Sequence, residues 1–289
     1  MSEPADRTEY LSLNEVAERR GLHYMTVYRH VRTGRLPAIK EGGEWRVLAS
    51  DLDQQDRRGS QGRPGHADIG YRVPALASRL VSGDEPGAWG IVESCLSAGA
   101  DAAEVHHQLI IPAIHSIGDG WCDGELGVVD EHTATAISKR VVSRLGPLMR
   151  AKGRSRGTIV LGAVAHDTHA LAVSIVADIL RASHYNVIDL GGNTPVESFI
   201  DAIGMADQCR ALGLSVSVTA DDQVRATVSA VRLTAPTLPI VIGGTGVESA
   251  DHAVQLGSAG YAANSRDVVP VFEQAIASAA DKPLTDRPT

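Results

Sequence analysis

The feature that most constrains the fold of this chain is an alternation of short apolar runs and amphipathic stretches from residue 158 onward. Short runs rich in Val, Ile and Leu predict strands, and apolar residues at three- to four-residue spacing predict helices. Strands separated by helices form a doubly wound parallel sheet. The predicted strands are residues 158–164, 186–189, 213–218, 239–242 and 260–262, with helices at residues 171–183, 221–233, 249–256 and 267–279 and one opened by a capping box at residues 194–197.

Polar and small residues follow three of these predicted strands, at the sheet edge where ligands bind. Asp167-Thr168-His169 comes after the first strand. A neutral imidazole is a good metal ligand, and an aspartate two residues away can accept a hydrogen bond from its other nitrogen. Small residues at the ends of the third and fourth strands predict a slot for a bulky ligand tail: Ser215, Ser217, Thr219, Gly243 and Gly244. Alternatively, the glycines form helix-start turns and the serines satisfy loop amides.

Residues 71–149 have helical spacing throughout, with breaks at Gly83, Gly99 and residues 118–124, which predicts a four-helix bundle. Nine residues separate Trp121 from the pair Glu131-His132. A tryptophan, a carboxylate and an imidazole at these positions are candidates for ligand contacts. The alternative is that Trp121 closes the core of the bundle and that the pair simply lies on a helix face.

The N-terminal residues predict a small DNA-binding domain. Ser12 and Glu15 form a capping box before a short helix that Gly21 ends. In a second helix at residues 25–32, Val27 and Val31 face inward, and a hairpin around Gly42-Gly43 follows. Two short helices around a turn make a helix-turn-helix, and the hairpin makes a wing.

Charge supports this prediction, although the chain as a whole carries a net charge of -8. Residues 19–46 hold seven basic and two acidic residues, so a locally basic head precedes an acidic body. The alternative is a small helical domain whose arginines are only solvated. Residues 54–66 contain no apolar residue and predict a flexible linker.

The head, with its order of helix, turn, helix, Gly-Arg-Leu-Pro and a hairpin containing Trp45-Arg46, resembles the winged-helix domains of the MerR and excisionase families. The resemblance implies that Met25, Thr26 and Arg29 face base edges. It also implies that Arg32, Lys40 and Arg46 contact phosphates. Operator DNA is thus an expected partner.

The C-terminal pattern resembles the Rossmann-like or flavodoxin-like cobalamin-binding domain of methionine synthase, corrinoid carriers and related photoreceptors. That pattern reads D-x-H-x-x-G, then S-x-L, then Gly-Gly; here Ala172 takes the place of the first glycine and Ser217 that of the leucine. The resemblance implies that His169 replaces the lower base on cobalt and that the nucleotide tail fills the slot.

The spacing of Trp121 from Glu131-His132, with Gly83-Asp84 and Pro112-Ala113 before it, resembles the cap of the CarH/LitR family of adenosylcobalamin-dependent photoreceptor repressors. The resemblance implies that Trp121 contacts the 5'-deoxyadenosyl group, that Glu131 accepts from its ribose and that His132 reaches cobalt after illumination. It further implies a homotetramer that binds DNA in the dark and dissociates in light. No residue is expected to be catalytic, so the protein is not expected to be an enzyme.

The sequence therefore predicts a winged helix-turn-helix at residues 8–53, a linker at 54–66, a four-helix cobalamin cap at 67–150 and a cobalamin-binding domain at 155–281. Two other functions remain open, a corrinoid carrier or methyltransferase component and a light-independent cobalamin sensor. The longest apolar runs are too short to span a bilayer, and the three scattered cysteines suit a reducing compartment, so we expect a cytoplasmic protein with no membrane partner. The histidines expected to be structural are His106, His107, His115 and His184.

Overall fold

In the described part of the head, two short helices lie beside a three-stranded antiparallel sheet. The computed structural model describes residues 10–20, 23–32, 36–49 and 69–281, apart from the side chains of Arg20 and Arg29. The predicted linker and the helix-ending glycines Gly21 and Gly34 lie outside the described residues. The elements are β1 (Tyr10–Ser12), α1 (Leu13–Arg20), α2 (Tyr24–Arg32), β2 (Ile39–Glu41) and β3 (Glu44–Leu48), and the strand order is β1-β3-β2.

Local signals in the head are confirmed. The amide of Ser12 donates to Glu15 at 2.6 Å, and the amide of Glu15 donates to the Ser12 hydroxyl at 3.3 Å, as a capping box requires. These hydrogen bonds lower the pKa of Glu15. Val27 and Val31 are buried in the head's own core. Strand β1 was not predicted, because a three-residue strand has little pattern of its own and depends on pairing with β3.

Residues 69–149 are helical, as predicted. A 3₁₀ turn (Gly70–Arg72) precedes α3 (Val73–Val81) and α4 (Glu85–Ser97). A third helical run consists of α5 (Ala102–Val105), a π-helical segment (His106–Ile110) and α6 (Ile111–Cys122), and α7 (Val128–Met149) follows. The π segment ends two residues before Pro112, whose missing amide removes a helical hydrogen bond at that point.

The predicted break at residues 118–124 is only partly correct. Helix α6 continues through Gly118 and Gly120 and ends at Cys122, so Trp121 lies in its last turn. An isolated glycine costs a helix about 1 kcal/mol, which packing can offset. Here Ile117 is buried, and a Cβ on Gly120 would lie 3.3 Å from Leu126.

The C-terminal region is a five-stranded, wholly parallel sheet with the order β5-β4-β6-β7-β8. Its strands are β4 (Thr158–Ala163), β5 (Asn186–Asp189), β6 (Cys209–Ser215), β7 (Ile240–Gly243) and β8 (Gly260–Ala262). Its helices are α8 (Ala170–Ala182), α9 (Val196–Met205), α10 (Asp221–Thr234), α11 (Ala250–Gln255) and α12 (Val268–Ala280). This order is flavodoxin-like, and its direction reverses between β4 and β6, where such folds bind ligands.

Two local predictions in this region are wrong. Strand β6 begins at Cys209 and ends at Ser215, because pairing with β4 starts at Cys209 even though Arg210 is exposed. Helix α9 begins at Val196 after Pro195, without the predicted capping box. The backbone of Thr194 is instead bound to β4, since its amide donates to the carbonyl of Ala163 at 2.9 Å.

The chain divides into two compact units between Arg144 and Leu145, and the finer domain boundaries stay predictions. Within the described ranges, no helix is both long enough and apolar enough to cross a membrane.

Candidate functional site

A buried carboxylate holds an exposed imidazole at the carboxyl end of the sheet. Asp167 is fully buried in the loop between β4 and α8, whereas the side chain of His169 is 57% exposed. Nδ1 of His169 lies 2.7 Å from Oδ1 of Asp167, and the backbone amide of His169 donates to the same oxygen at 3.1 Å. Because a carboxylate only accepts, Nδ1 carries the proton and Nε2 keeps its lone pair for a metal.

The second oxygen of Asp167 connects the loops after β4 and β6, the two strands between which the strand order reverses. The backbone amide of Ser217, just past β6, donates to Oδ2 of Asp167 at 2.5 Å. Asp167 thus accepts hydrogen bonds on both oxygens, as a buried charge requires. This contact uses the backbone amide of Ser217, which the sequence alone does not reveal, and the cofactor contact predicted for Ser217 stays a prediction.

Asn193 is a site residue that the sequence prediction missed. Its φ is +51°, its amide donates to the carbonyl of Asp167 at 2.5 Å, and its Oδ1 accepts from the amide of His166 at 2.8 Å. His166 also has a positive φ, of +71°. Asparagine tolerates this conformation better than most residues. The Gly-Gly-Asn sequence after β5 was the available signal.

The glycines after β7 bring backbones together and leave no open slot at their own Cβ positions. A Cβ on Gly244, where φ is +117°, would lie 2.3 Å from the carbonyl oxygen of Val216. A Cβ on Gly243 would lie 2.7 Å from that of Ala262. Ser215 ends β6 and Thr219 is exposed beyond it. Both glycines are therefore required for close backbone packing, and the predicted slot and the cofactor contacts of these four residues stay predictions.

In the helical region, the residues predicted to contact the cofactor lie at or near the surface. Trp121 is 49% exposed at the end of α6, so it does not close the bundle core. On α7, Nδ1 of His132 lies 2.9 Å from Oε2 of Glu131, and the His132 side chain is 75% exposed. Oε1 of Glu131 accepts from Thr135 at 2.7 Å. His132 thus repeats the arrangement of His169, with one nitrogen held by a carboxylate and the other accessible.

His106, at the start of the π segment, is a fully buried histidine among the described residues. Burial, together with the neighbouring His107, lowers its pKa to about 4. His106 is therefore neutral at physiological pH, in agreement with a structural role.

The residues predicted to bind DNA lie on α2 and the hairpin. Met25 is strongly exposed and Thr26 partly so, while the side chain of Arg29 lies outside the described residues. Lys40 and Arg46 lie on the two hairpin strands. Arg32 ends α2 and is half-exposed, 3.6 Å from Asp84.

Three family models match the chain. Models described as a B12 binding domain match residues 157–268 and residues 74–145, and a helix-turn-helix domain model matches residues 10–54. The chain is a cobalamin-binding protein with an N-terminal helix-turn-helix domain. The two B12-binding matches contain the Asp167-His169 pair and the Trp121, Glu131 and His132 group, respectively.

Several characterised proteins resemble this cobalamin-binding protein. Trimethylamine corrinoid protein 1 of Methanosarcina acetivorans is 26% identical over 121 residues, which cover 41% of this chain and 56% of the relative. A corrinoid protein of Desulfitobacterium hafniense is 27% identical over 129 residues, which cover 43% of this chain and 60% of the relative. The chain thus spans only a little over half the length of these relatives.

The fold is shared with a solved corrinoid protein. The monomethylamine corrinoid protein of Methanosarcina barkeri superposes with a TM-score of 0.57 at 15% identity, covering 68% of this chain and 94% of that protein. A likeness at this identity concerns the fold alone. It supports the predicted helical bundle and parallel sheet, whereas the domain matches and the corrinoid relatives support a corrinoid cofactor.

Proposed function

We propose that this protein is a light-sensing transcriptional regulator, acting as a repressor, with adenosylcobalamin as its chromophore. The observation that carries this proposal is the exposure of Trp121 and His132 in a protein that also has a helix-turn-helix head. An exposed tryptophan, free of the bundle core, is available to pack against an adenosyl group. Carrier function alone does not require a DNA-binding domain.

The chain's residues have distinct roles in this proposal. Nε2 of His169 would bind cobalt, with Asp167 fixing the tautomer of the imidazole and increasing its basicity. Trp121 and Glu131 contact the adenosyl group. When bound, adenosylcobalamin supplies a chromophore whose cobalt–carbon bond is cleaved by visible light. Nε2 of His132, whose Nδ1 lies against Glu131, would be available to bind cobalt in the absence of the adenosyl group.

DNA binding is proposed to depend on assembly of the winged helix-turn-helix heads. One head makes few phosphate contacts, whereas several tethered heads in a homotetramer bind the same DNA with avidity. Losing the contact between Trp121 and the adenosyl group is proposed to weaken the tetramer and release operator DNA.

A corrinoid carrier is the second candidate, and the relatives named as corrinoid proteins favour it. Such a carrier would use the same Asp167-His169 pair. A light-independent cobalamin-sensing regulator is the third, since it needs the same pocket and the same head.

The test is to load the protein with adenosylcobalamin in the dark and record its absorption spectrum, mass and DNA affinity before and after green light. The proposal expects all three to change, whereas a protein kept in the dark should retain its initial values. An unchanged spectrum and mass, with DNA binding that depends on cobalamin, would favour the light-independent sensor. Absence of DNA binding in every state would favour the carrier.

A further inference from the structure

A buried arginine on the first bundle helix contacts both parts of the head. The Arg79 side chain is 6% exposed, and its Nη1 donates to Asp84 at 2.7 Å. Its Nη2 donates to the carbonyl of Val31 at 3.3 Å, and its guanidinium lies 4.2 Å from the Trp45 ring centroid. Val31 lies in the last turn of α2 and Trp45 lies on β3. Arg79 thus links helix α2 and the hairpin to the bundle.

A guanidinium interacts favourably with both the end of a helix and the face of an aromatic ring. The last carbonyls of a helix lack partners within it and carry partial negative charge, which a guanidinium satisfies. A guanidinium above an indole ring gains a cation–π interaction, which is stronger when it is shielded from water. Burial lowers the pKa of Arg79, and the carboxylate of Asp84 opposes that shift.

Asp84 is held in one position by three partners. Its Oδ1 accepts from the amide of Gly87 at 2.9 Å, which caps the start of α4. Its Oδ2 pairs with Arg79 and lies 3.6 Å from Nη1 of Arg32. Gly87 makes room for this carboxylate, since a Cβ there would lie 2.3 Å from Oδ2.

We propose that Arg79 and Asp84 form an intramolecular latch on the head, in which the Asp84 carboxylate competes with DNA phosphates for Arg32. The inference rests on the DNA binding proposed above and adds a regulatory contact to it. Arg32 meets the carboxylate in the free protein and a phosphate in the DNA complex. The latch therefore lowers DNA affinity and holds α2 and β3 against the bundle until DNA binds.

The test compares Asp84→Asn with the parent in the full-length protein, on a random-sequence duplex at several salt concentrations. Asparagine keeps the helix cap but loses the charge. An exposed ion pair contributes little, so the variant should bind about twofold to fivefold more tightly. The log–log salt slope should stay close to that of the parent, because Arg32 contacts a phosphate in both complexes. Arg32→Ala in the Asp84→Asn background should remove the gain in affinity.

Asp101→Asn is the matched control, because Asp101 caps α5 in the same way by accepting from the amide of Glu104 at 2.8 Å. It should bind DNA as the parent does. Hydrogen exchange without DNA gives a second readout, in which Asp84→Asn should speed exchange of the α2 amides and Asp101→Asn should not. Asp84→Ser, which also keeps a cap, replaces Asp84→Asn if circular dichroism shows that the latter is unfolded.

Two outcomes would overturn the latch. If the parent and Asp84→Asn bind DNA with the same affinity, the latch is absent while DNA binding stands. If no variant binds DNA even at low salt, the DNA-binding part of the proposed function fails together with the latch.

Discussion

The backbone amide of Ser217 donates to the carboxylate of Asp167, joining the loops that follow β6 and β4. The other oxygen of that carboxylate holds Nδ1 of His169. One buried side chain thus ties the strand ends together and orients the imidazole, so changes at Asp167 affect both the loop and the proposed cobalt ligand.

Asp167→Asn should weaken cobalamin binding about 10- to 100-fold, because an amide supports the imidazole less well than a carboxylate. His169→Ala should weaken it more, since the ligand itself is lost. Spectrophotometric titration with cobalamin measures both. The matched control is Asp221→Asn, which alters another aspartate–histidine pair in the same sheet domain, at 3.0 Å from His252, and should bind normally. Unchanged binding in both site variants would exclude this assignment.

Trp121→Ala should impair dark assembly with adenosylcobalamin, because the exposed indole is the proposed contact for the adenosyl group. Size-exclusion chromatography of the loaded protein in the dark provides the measurement. Trp89→Ala is the control for loss of a tryptophan from the bundle, since the guanidinium carbon of Arg144 lies 3.8 Å from the centroid of the Trp89 ring. That variant should be less stable than the parent but should still assemble with adenosylcobalamin in the dark. Normal dark assembly of Trp121→Ala would contradict the proposed contact.

His132→Ala should leave dark DNA binding largely intact, since the proposed role of this imidazole begins only after illumination. After green light, the variant should release adenosine, end with a spectrum different from that of the illuminated parent, and lose cofactor more readily. Spectra and filtration after illumination measure these effects. Identical final spectra in parent and variant would show that His132 does not replace the lost group.

Arg46→Ala should weaken binding to all DNA sequences alike and flatten the salt slope by about 1, because it removes a proposed phosphate contact. Arg29→Ala should instead cost about 1 to 3 kcal/mol on the operator and relax its specificity. Lys139→Ala, at an exposed position on α7, is the control. Fluorescence anisotropy at several salt concentrations separates these effects, and DNA binding unaffected by either arginine change would contradict the DNA-binding prediction for the head.

His106 should make the protein less stable in acid. The pKa of His106 is lowered from 6.5 to about 4 in the folded protein, so the unfolded chain takes up this proton first as pH falls. The free energy of unfolding should therefore decrease between about pH 6.5 and pH 4, by about 3 kcal/mol at most. Urea denaturation of the parent and of His106→Asn measures the difference, and parallel pH profiles would contradict it.

Gly244→Ala should destabilise the sheet unit by more than about 1 kcal/mol, because φ is +117° and the added Cβ would meet the Val216 carbonyl. Gly204→Ala on α9 is the matched control, since open space surrounds its Cβ position. It should stabilise the protein by about 0.5 to 1 kcal/mol, as alanine favours helices. Urea denaturation of both variants measures the change in the free energy of unfolding, which should decrease for Gly244→Ala and increase for Gly204→Ala.

The sequence by itself determined the features that depend on neighbours along the chain. These include the alternation of strands and helices, the Ser12–Glu15 capping box and the inward face of α2. Asp167 and His169 are two residues apart, so their hydrogen bond was also predictable. Local spacing fixes such contacts because helices and strands have regular geometry.

Only the tertiary structure decided which distant groups meet. The bond from Ser217 to Asp167 joins residues fifty positions apart, and that from Arg79 to Val31 joins residues forty-eight apart. The strand β1 and the close packing at Gly244 likewise depend on remote backbone. The spacing of apolar residues along the chain does not predict such contacts, because they result from the order of the strands and the packing of whole elements. The sequence therefore identified the Asp167-His169 pair, and the fold decided what holds it in place.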